Sequence, residues 1–303
     1  MQNAGKTAQT SGIYVESLIC GSIEDVWSHT QTPAIHEQWD LRFSTIEYLP
    51  KARESDPQRF LYATKIGLGI DVRGEGESRG ERSSADGSRT SALKFWSDDW
   101  RTLIREGSGY WRYLPVDGGV RFLTWYDYRV RYGAVGWVVD RLFFRPMIGW
   151  ATAWSFDRLR LWIEKGVDPG LAARMAVIHA VSRIAVAFTW LWQGLMPKLL
   201  FPSADEKLMM TAAGLSPSLL PLIGWIEVFF GFMTVILWRQ RWILMIQPFL
   251  MIAALLPVVW TAREYTVAAF NPVTLNTGMA ALAICGYIAS GITPHASRCK
   301  RRP

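Results

Sequence analysis

The sequence predicts a chain in two parts: an α+β soluble domain over residues 12–165 and an all-α bundle of four transmembrane helices over 174–293, followed by a basic tail at 294–303. Half of the chain is apolar and 19% is charged, but the charges are unevenly distributed. They are frequent up to about Lys165 and rare between Ala176 and Ile292. Such a contrast is typical of two solvents, water around one part and lipid around the other.

Four segments of the second part are long enough to cross a bilayer. A helix needs about 20 mostly apolar residues to do so, and the stretches at about 177–196, 218–238, 242–260 and 272–292 meet that requirement. Indole rings favour the membrane interface. Tryptophans lie near the ends of these segments, as the prediction requires: Trp190, Trp192, Trp238, Trp242 and Trp260.

Basic residues predict how the spans are oriented. Arg174 precedes the first span, Arg239 and Arg241 separate the second from the third, and the basic tail follows the fourth. Four crossings put these three places on one side, and the opposite loops are near charge balance. The positive-inside rule then places both termini and the soluble domain in the cytosol, at a bacterial-type inner membrane. The polar start, Met1–Lys6, is not expected to be a secretory signal.

The charge and the cysteines limit the choice of partner and cofactor. A net charge of +7 suits nucleic acid or anionic lipid. Because the basic residues lie beside apolar segments, we expect a lipid bilayer as the partner and no nucleic acid. Cys20, Cys285 and Cys299 lack CxxC or Cys/His spacing, so neither a metal site nor a disulfide framework is predicted. No cofactor motif is evident.

Three charged residues lie within or beside the apolar segments. Glu227 is near the middle of the second span, and Gly224 and Gly231 share its helix face, so the carboxylate is expected to point into the bundle. Arg183 in the first span is its best partner by depth, although extension of Arg183 to the cytosolic interface is favoured. Lys198 lies in the proline-containing segment 194–202, which is expected to lie on the membrane surface or to re-enter. Glu227 is either a structural hydrogen-bonding group or a proton- or quinone-linked site.

Three motifs of this part resemble the DoxX-like membrane proteins: Gln193-Gly194-Leu195 with Lys198-Leu199 and Pro202, Gly224-Trp225-Ile226-Glu227 with Gly231, and Asn271-Pro272-Val273-Thr274-Leu275-Asn276. The resemblance covers about 174–292. Some members of that family are linked to quinone-coupled oxidation of reduced sulfur compounds. The resemblance therefore implies one alternative, a membrane oxidoreductase or accessory subunit with quinone chemistry near Glu227 and a redox centre on a partner membrane subunit.

The soluble part reads as β-rich with helices at both ends. Alternation over Ile13–Ile19 predicts a half-buried strand. Ser22 is expected to cap a short helix, and Thr32-Pro33 opens a second that ends near Trp39. Asp86-Gly87 and Asp117-Gly118-Gly119 mark hairpin turns between further strands. From Ala134 to Glu164 an amphipathic helix, interrupted near Pro146, carries large apolar side chains that need a broad surface to pack on.

This order of elements resembles the START-like helix-grip fold. The segments Ser22-Ile23-Glu24-Asp25-Val26-Trp27 and Trp39-Asp40 are similar to the opening of the polyketide cyclase and lipid-transport superfamily. The resemblance covers about 13–165 and implies a cavity for an apolar ligand between sheet and helix. It says little about chemistry, because members bind very different ligands.

Several aromatic residues are candidates for that cavity: Tyr110, Trp111, Tyr126 and Tyr128. A packed core is the favoured alternative, and strand alternation cannot place every one of them inside. His29 and His36 are expected at the surface, without a Ser or Asp partner. Asp98-Asp99 is interpreted as a hairpin turn rather than an acid pair.

Together these observations favour an integral membrane protein with a cytosolic domain that binds a lipid or another apolar small molecule. The short connection at Gly166–Gly170 is expected to keep that domain close to the bilayer. The membrane oxidoreductase and a purely structural membrane scaffold are the alternatives. The sequence leaves open the ligand, any catalysis, the oligomeric state, and whether Glu227 is functional or structural.

Overall fold

The computed structural model describes residues 12–67 and 69–303, so the polar start lies outside it. Two compact units are present. The described residues up to Ala172, together with Pro294–Pro303, form one, here called the sheet unit, and Ala173–Thr293 form the other, the membrane unit.

The sheet unit contains one seven-stranded antiparallel sheet with the order β1-β7-β6-β5-β4-β3-β2. Strands that follow one another in sequence are neighbours, except that β1 joins β7 at one edge. Both predicted hairpin turns connect neighbouring strands. The strands are β1 (Ile13–Ile19), β2 (Thr45–Tyr48), β3 (Arg59–Gly67), β4 (Ile70–Ser83), β5 (Arg89–Trp96), β6 (Ile104–Val116) and β7 (Gly119–Val130).

Helices flank the strands as the sequence predicts. Helices α1 (Ile23–Gln31) and α2 (Pro33–Trp39) follow β1, and α3 (Gly133–Val139) and α4 (Arg145–Lys165) follow β7. The hydroxyl of Ser22 accepts a hydrogen bond from the Asp25 amide at 3.0 Å, which confirms the predicted N-cap. Helix α4 ends at Gly166, whose φ of 63° is the left-handed conformation that glycine adopts without strain.

Helix α4 packs on the inner face of the sheet along β1. The ring of Phe156 stacks on Phe122 of β7 with centroids 4.4 Å apart, and both side chains are fully buried. Burying a side chain of this size stabilises the fold by about 1.5–3 kcal/mol. A long helix held by a curved antiparallel sheet is the START-like helix-grip arrangement, and the predicted fold class is confirmed.

The predicted interruption near Pro146 is a short π-helical turn, Asp140–Phe144, between α3 and α4. Proline lacks an amide hydrogen, and its ring crowds the carbonyl four residues earlier. The wider turn, in which the Arg145 amide donates to the Asp140 carbonyl, lets the helical path continue past this residue.

The end of the chain is part of the sheet unit and is not the separate basic tail that the sequence predicts. Backbone hydrogen bonds of 2.8 and 2.9 Å join Lys300 to Glu16 of β1. The Cys299 thiol is buried and donates to the Ala153 carbonyl at 3.2 Å, and the His295 amide donates to the Asp157 carboxylate at 2.7 Å. The last ten residues therefore extend the sheet and cover α4.

The membrane unit has four helical segments that are long and apolar enough to cross a membrane, which confirms the predicted count in the described part of the chain: Pro169–Leu200, Pro217–Ile236, Trp242–Thr261 and Pro272–Ala289. Its helices are α5 (Pro169–Gly194), α6 (Ala204–Ala212), α7 (Leu220–Ile236), α8 (Trp242–Met245), α9 (Gln247–Thr261) and α10 (Pro272–Ala289). A buried apolar group packs α5, α9 and α10 together: Val186, Met251, Met279 and Ala283.

Segment 194–202 differs from its prediction. Instead of leaving the helical path after Gly194, the chain continues α5 as a π-helical turn, Leu195–Leu200. The first span is accordingly longer than the sequence predicts. Helix α7 crosses this region closely, because a Cβ atom on Gly224 would lie only 2.9 Å from Lys198 Cβ. Gly231 makes a second close approach, to Leu191 and Ala187.

Candidate ligand groove and intramembrane charge cluster

Of the four aromatic residues that are candidates for a cavity, Tyr110 does not lie on the inner face of the sheet, so its assignment to the cavity is wrong. It is 36% exposed on the outer face of the sheet, where its ring stacks on Trp125 at 6.1 Å. Side chains alternate along a strand, so Trp111 necessarily points to the opposite, inner face. Trp111, Tyr126 and Tyr128 are all buried there, each about 7% exposed.

Trp111 belongs to a closed aromatic cluster. Its ring lies 5.0 Å from His36 and 5.7 Å from Phe122, and the Trp39 ring is 6.2 Å away. These contacts fill the space between the sheet, α2 and α4. Trp111 is therefore a core residue in this structure, which was the favoured alternative for the aromatic set.

The two tyrosines connect the sheet to the helices through their hydroxyl groups. Tyr126 shares a 2.8 Å hydrogen bond with Thr152 of α4. Tyr128 donates to the Asp140 carboxylate at 2.7 Å, and the Arg145 guanidinium lies 4.6 Å from its ring. Burial, together with the hydrogen bond to Asp140, raises the pKa of Tyr128 far above its ordinary value, so its hydroxyl stays a donor.

A buried ionic group lies beside Tyr126. Asp40 is 1% exposed, accepts two hydrogen bonds from the Arg42 side chain at 2.9 and 2.6 Å, and lies 3.0 Å from the His36 ring nitrogen. Burial opposes the charge of Asp40. The attraction of Arg42 and the hydrogen bonds from His36 and Arg42 outweigh it and hold the pKa of Asp40 well below its ordinary value.

The surface assignment of His36 is therefore wrong. This ring is 8% exposed and has an acidic partner, and Trp39 stacks on it at 4.9 Å. The signal was present in the sequence, because Asp40 follows His36 by four residues and i,i+4 residues are neighbours at the end of a helix. The Arg42 guanidinium, in turn, lies 5.5 Å from the Tyr126 ring.

The inner face of β3–β5 is only partly covered, unlike that of β7. The register places Phe60, Gly76, Phe95 and Gly107 in one row across four strands. A Cβ atom on Gly76 would lie 2.2 Å from the Phe60 ring, so the rings lie directly over the glycines. The half-buried apolar side chains of this area are here called the inner groove: Phe60, Tyr62, Leu93 and Phe95.

A different groove, of about 540 Å³, crosses the outer face of β2–β5. Charged side chains from three strands, β2 to β4, and from the loop after β5 line it: Glu47, Lys65, Asp71, Arg73, Glu75 and Asp98. It is unsuited to an apolar ligand, because such a ligand would remove these charges from water without replacing their hydration.

In the membrane unit the partner of Glu227 is Lys198, and its predicted pairing with Arg183 is wrong. The Lys198 ammonium lies 3.2 Å from a Glu227 oxygen and 3.0 Å from a Glu206 oxygen. Only 6% of Lys198 is exposed. The π-helical turn brings the lysine to this position, and Gly224 leaves room for its stem. Two carboxylates thus share one ammonium group. The three residues, Lys198 and Glu227 of the apolar spans and Glu206 of α6 between those spans, are here called the intramembrane charge cluster.

Arg183 does not contact Glu227 and instead extends to the end of α7. It is fully buried and donates to backbone carbonyls at the end of α7: Thr234 at 2.7 Å, Leu237 at 2.8 Å, Gln240 at 3.0 Å, and Trp238. A guanidinium has five donors, and its remaining contact is His179 at 3.4 Å. Its role is to cap a helix terminus that lacks intrahelical partners.

Within residues 12–67 and 69–303, no group of three or more His, Cys, Asp or Glu side chains is arranged to hold a metal ion. The charge cluster contains two carboxylates and one lysine, and the ammonium occupies the place between the oxygens.

These features define the class: a multi-pass membrane protein that combines a four-span bundle with a START-like domain. The comparisons agree. Residues 187–284 match the DoxX-like family. The chain belongs to this family of membrane proteins, and it is 44% identical over 183 residues to "Uncharacterized membrane protein YndG" of Bacillus subtilis, a match that covers 60% of this chain and 68% of that protein.

Solved structures resemble the sheet unit at low identity. A STAR-related lipid transfer protein from Xanthomonas axonopodis is 15% identical, covering 50% of this chain and 85% of its own, with a TM-score of 0.39. The Zhui aromatase/cyclase from Streptomyces sp. R1128 is 10% identical, covering 52% of this chain and 98% of its own, with a TM-score of 0.38. The START-like assignment itself follows from the strand order and the packing of α4.

Proposed function

We propose that this membrane protein binds an uncharged apolar molecule, such as a lipid, in the inner groove of its sheet unit, without converting it. The observation that carries the proposal is the half-exposure of Phe60, Tyr62, Leu93 and Phe95 on the inner face of the sheet. In a soluble fold this face normally lies in the core. A ligand that covered these side chains would gain roughly 1 kcal/mol from each of them.

The electrostatics of the groove favour an uncharged ligand. Arg42 is the nearby cation, and both of its hydrogen-bonded contacts to Asp40 are already made. A paired charge of this kind does not require an anionic ligand to balance it. The groove has small residues beside its apolar ones, since Leu93 is opposite Gly109 and next to Ser78 in the register. This leaves room for a ligand near Leu93.

Two Leu-to-Trp variants on opposite faces of the sheet test the proposal. L93W adds an indole within the inner groove, and L61W makes the same change on the outer face, where Leu61 is 39% exposed. The assay is photocrosslinking of a diazirine-bearing diacylglycerol, an uncharged lipid, to the full-length protein in nanodiscs, with the labelled peptides mapped by mass spectrometry.

We expect wild type and L61W to be labelled on β3–β5 peptides, and L93W to lose that labelling by about tenfold. Equal labelling in both variants, or labelling confined to the membrane spans, would contradict ligand binding in the groove. Native mass spectrometry of the same preparations provides a second readout, because a retained ligand adds mass to wild type and L61W only.

The cytosolic orientation belongs to the same proposal. The last ten residues fold with the sheet unit, so both ends of the membrane unit leave the bilayer on one side, which requires an even number of crossings. The basic residues Arg174, Arg239 and Arg241 support the cytosol as that side, at a bacterial inner membrane.

The intramembrane charge cluster supports a second candidate function, a proton- or quinone-linked step with a redox partner subunit. The single ammonium of Lys198 is shared by the carboxylates Glu206 and Glu227, and ionisable groups of this kind within membranes mark proton and substrate pathways. E227Q removes the charge of one of these carboxylates, and E264Q is the control at an exposed loop position. Loss of respiration-linked activity in E227Q alone, with folding intact, would favour this candidate. Unchanged activity would leave Glu227 a structural residue.

A further inference from the structure

The helical segment between β7 and the body of α4 exposes an unusual amount of apolar surface. Five side chains, here called the apolar stripe, are 45–71% exposed: Val135, Val138, Leu142, Phe143 and Met147. Exposed apolar residues are common singly, but a contiguous group of large ones marks an interaction surface.

The spacing shows that the stripe is one face of a helix. Positions 135, 138 and 142 recur at intervals of three and four residues, and so do positions 143, 147 and 150, where Trp150 is 47% exposed. The opposite face contacts the sheet unit, since Gly136 and Asp140 are buried. The stripe therefore points away from the core of its own unit.

Aromatic and basic residues border the stripe. Trp100 is 75% exposed and Tyr132 57%, and the Tyr132 hydroxyl donates to the Trp100 carbonyl. Arg141 is exposed and its guanidinium lies 5.7 Å from the Trp137 ring. Trp, Tyr and Arg beside an apolar helix face are typical of a surface that meets lipid headgroups.

Charge also favours a membrane over another protein surface. The segment from Tyr132 to Trp150 contains one acidic residue, Asp140, which is buried and paired with Arg145 at 2.9 Å. Its exposed charge is the cation Arg141. A positive, apolar and aromatic face complements an anionic bilayer surface. The chain supplies that bilayer, because only Gly166, Val167 and Asp168 separate α4 from α5, which begins the first membrane span.

We propose that the apolar stripe inserts into the headgroup region of an anionic bilayer, so that the sheet unit has a membrane-docking face in addition to its tether. This surface is separate from the inner groove, and it stands whether or not the groove binds a ligand. The occupant is the lipid surface. A second copy of the chain, or another protein, is an outcome of the test.

The test measures lipid contact at the stripe in the full-length protein. Cys20 and Cys285 are exposed and are replaced by serine and alanine. A single cysteine is then introduced by F143C in the stripe, or by S108C on the exposed outer face of β6 as the matched control. Each is labelled with an environment-sensitive fluorophore in nanodiscs of phosphatidylcholine and phosphatidylglycerol that contain headgroup-proximal doxyl-lipid quenchers.

We expect quenching at position 143 at least threefold stronger than at 108, and a severalfold decrease at 143 when phosphatidylglycerol is left out. Equal quenching at the two positions would overturn the proposal. A label at 143 that is shielded from water but insensitive to the lipid quenchers would overturn it as well, because protein would then cover the stripe. Circular dichroism checks that both variants retain the fold.

Discussion

Removal of the buried guanidinium of Arg183 should destabilise the membrane unit more than any other single change to a charge within its spans. The variant R183M keeps most of the side-chain volume and removes all the donors that cap the end of α7. Four backbone carbonyls, those of Thr234, Leu237, Trp238 and Gln240, then lose their partner.

The expected loss in the free energy of unfolding follows from those four hydrogen bonds. Hydrogen bonds between membrane helices average about 0.6 kcal/mol each, which gives a lower value of roughly 2.5 kcal/mol. Bonds to a charged donor contribute about 1.5–3 kcal/mol in general, and the guanidinium also offsets the helix dipole. Because bonds from one group are not additive, we expect a loss of about 3–5 kcal/mol.

The assay is thermal unfolding of the purified protein in detergent, followed by circular dichroism at helical wavelengths. R239M is the matched control, because Arg239 is exposed in the turn after α7. R183K is the milder variant, since lysine keeps the charge but has three donors instead of five. A loss in R183M no larger than that of R239M would refute the capping role, and a loss in R183K equal to that in R183M would refute the dependence on charge.

Three further predictions concern single residues in the two units. Because the pKa of Asp40 is depressed, its ion pair stabilises the sheet unit above about pH 4, and this stabilisation is lost as the pH falls. The variant D40N should therefore be about 3–5 kcal/mol less stable than wild type at pH 7, and its stability should depend less on acid pH. Unfolding followed by tryptophan fluorescence measures both effects. G224V should clash with α5 and lower the unfolding temperature, whereas G278V, which meets nothing within 4 Å, should not; equal effects would argue against the close helix crossing. Burial raises the pKa of Cys299 to about 12, so at pH 8 a membrane-impermeant maleimide should label Cys20 and spare Cys299 in the folded protein; labelling of Cys20 in intact cells would contradict the cytosolic orientation.

Local sequence patterns were sufficient to predict most helices and strands of both units. The Ser22 cap, the two hairpin turns and the interruption at Pro146 are decided by a few adjacent residues, because each depends on backbone geometry within one turn. Strand alternation puts Tyr126 and Tyr128 on the same face of β7, and both are buried on the inner face in the structure. The same rule could have excluded Tyr110 from a site that contains Trp111, since neighbouring residues of a strand point to opposite faces.

The candidate sites were less predictable because they join residues that are distant in sequence. From the sequence, only the estimated depth of each residue in the membrane indicates a partner for Glu227, and Arg183 is the best candidate by depth. Depth depends on where each helix ends, and the π-helical turn after Gly194 carries Lys198 further along the span than the prolines suggested. The burial of His36 is not evident from its neighbours in sequence, because Trp111 and Phe43, which lie outside its helix, form its environment.

The sequence by itself determined that lipid surrounds four helices and that a sheet holds a long helix. The driving force is the removal of apolar side chains from water, and the composition and periodicity of the chain show which side chains these are. Only the tertiary structure decided which charges pair, which aromatic rings close the core, and that the last ten residues return to β1. Pairing energies fall steeply with distance and depend on burial. They are therefore set by the packing of whole elements, and neither composition nor spacing along the chain specifies them.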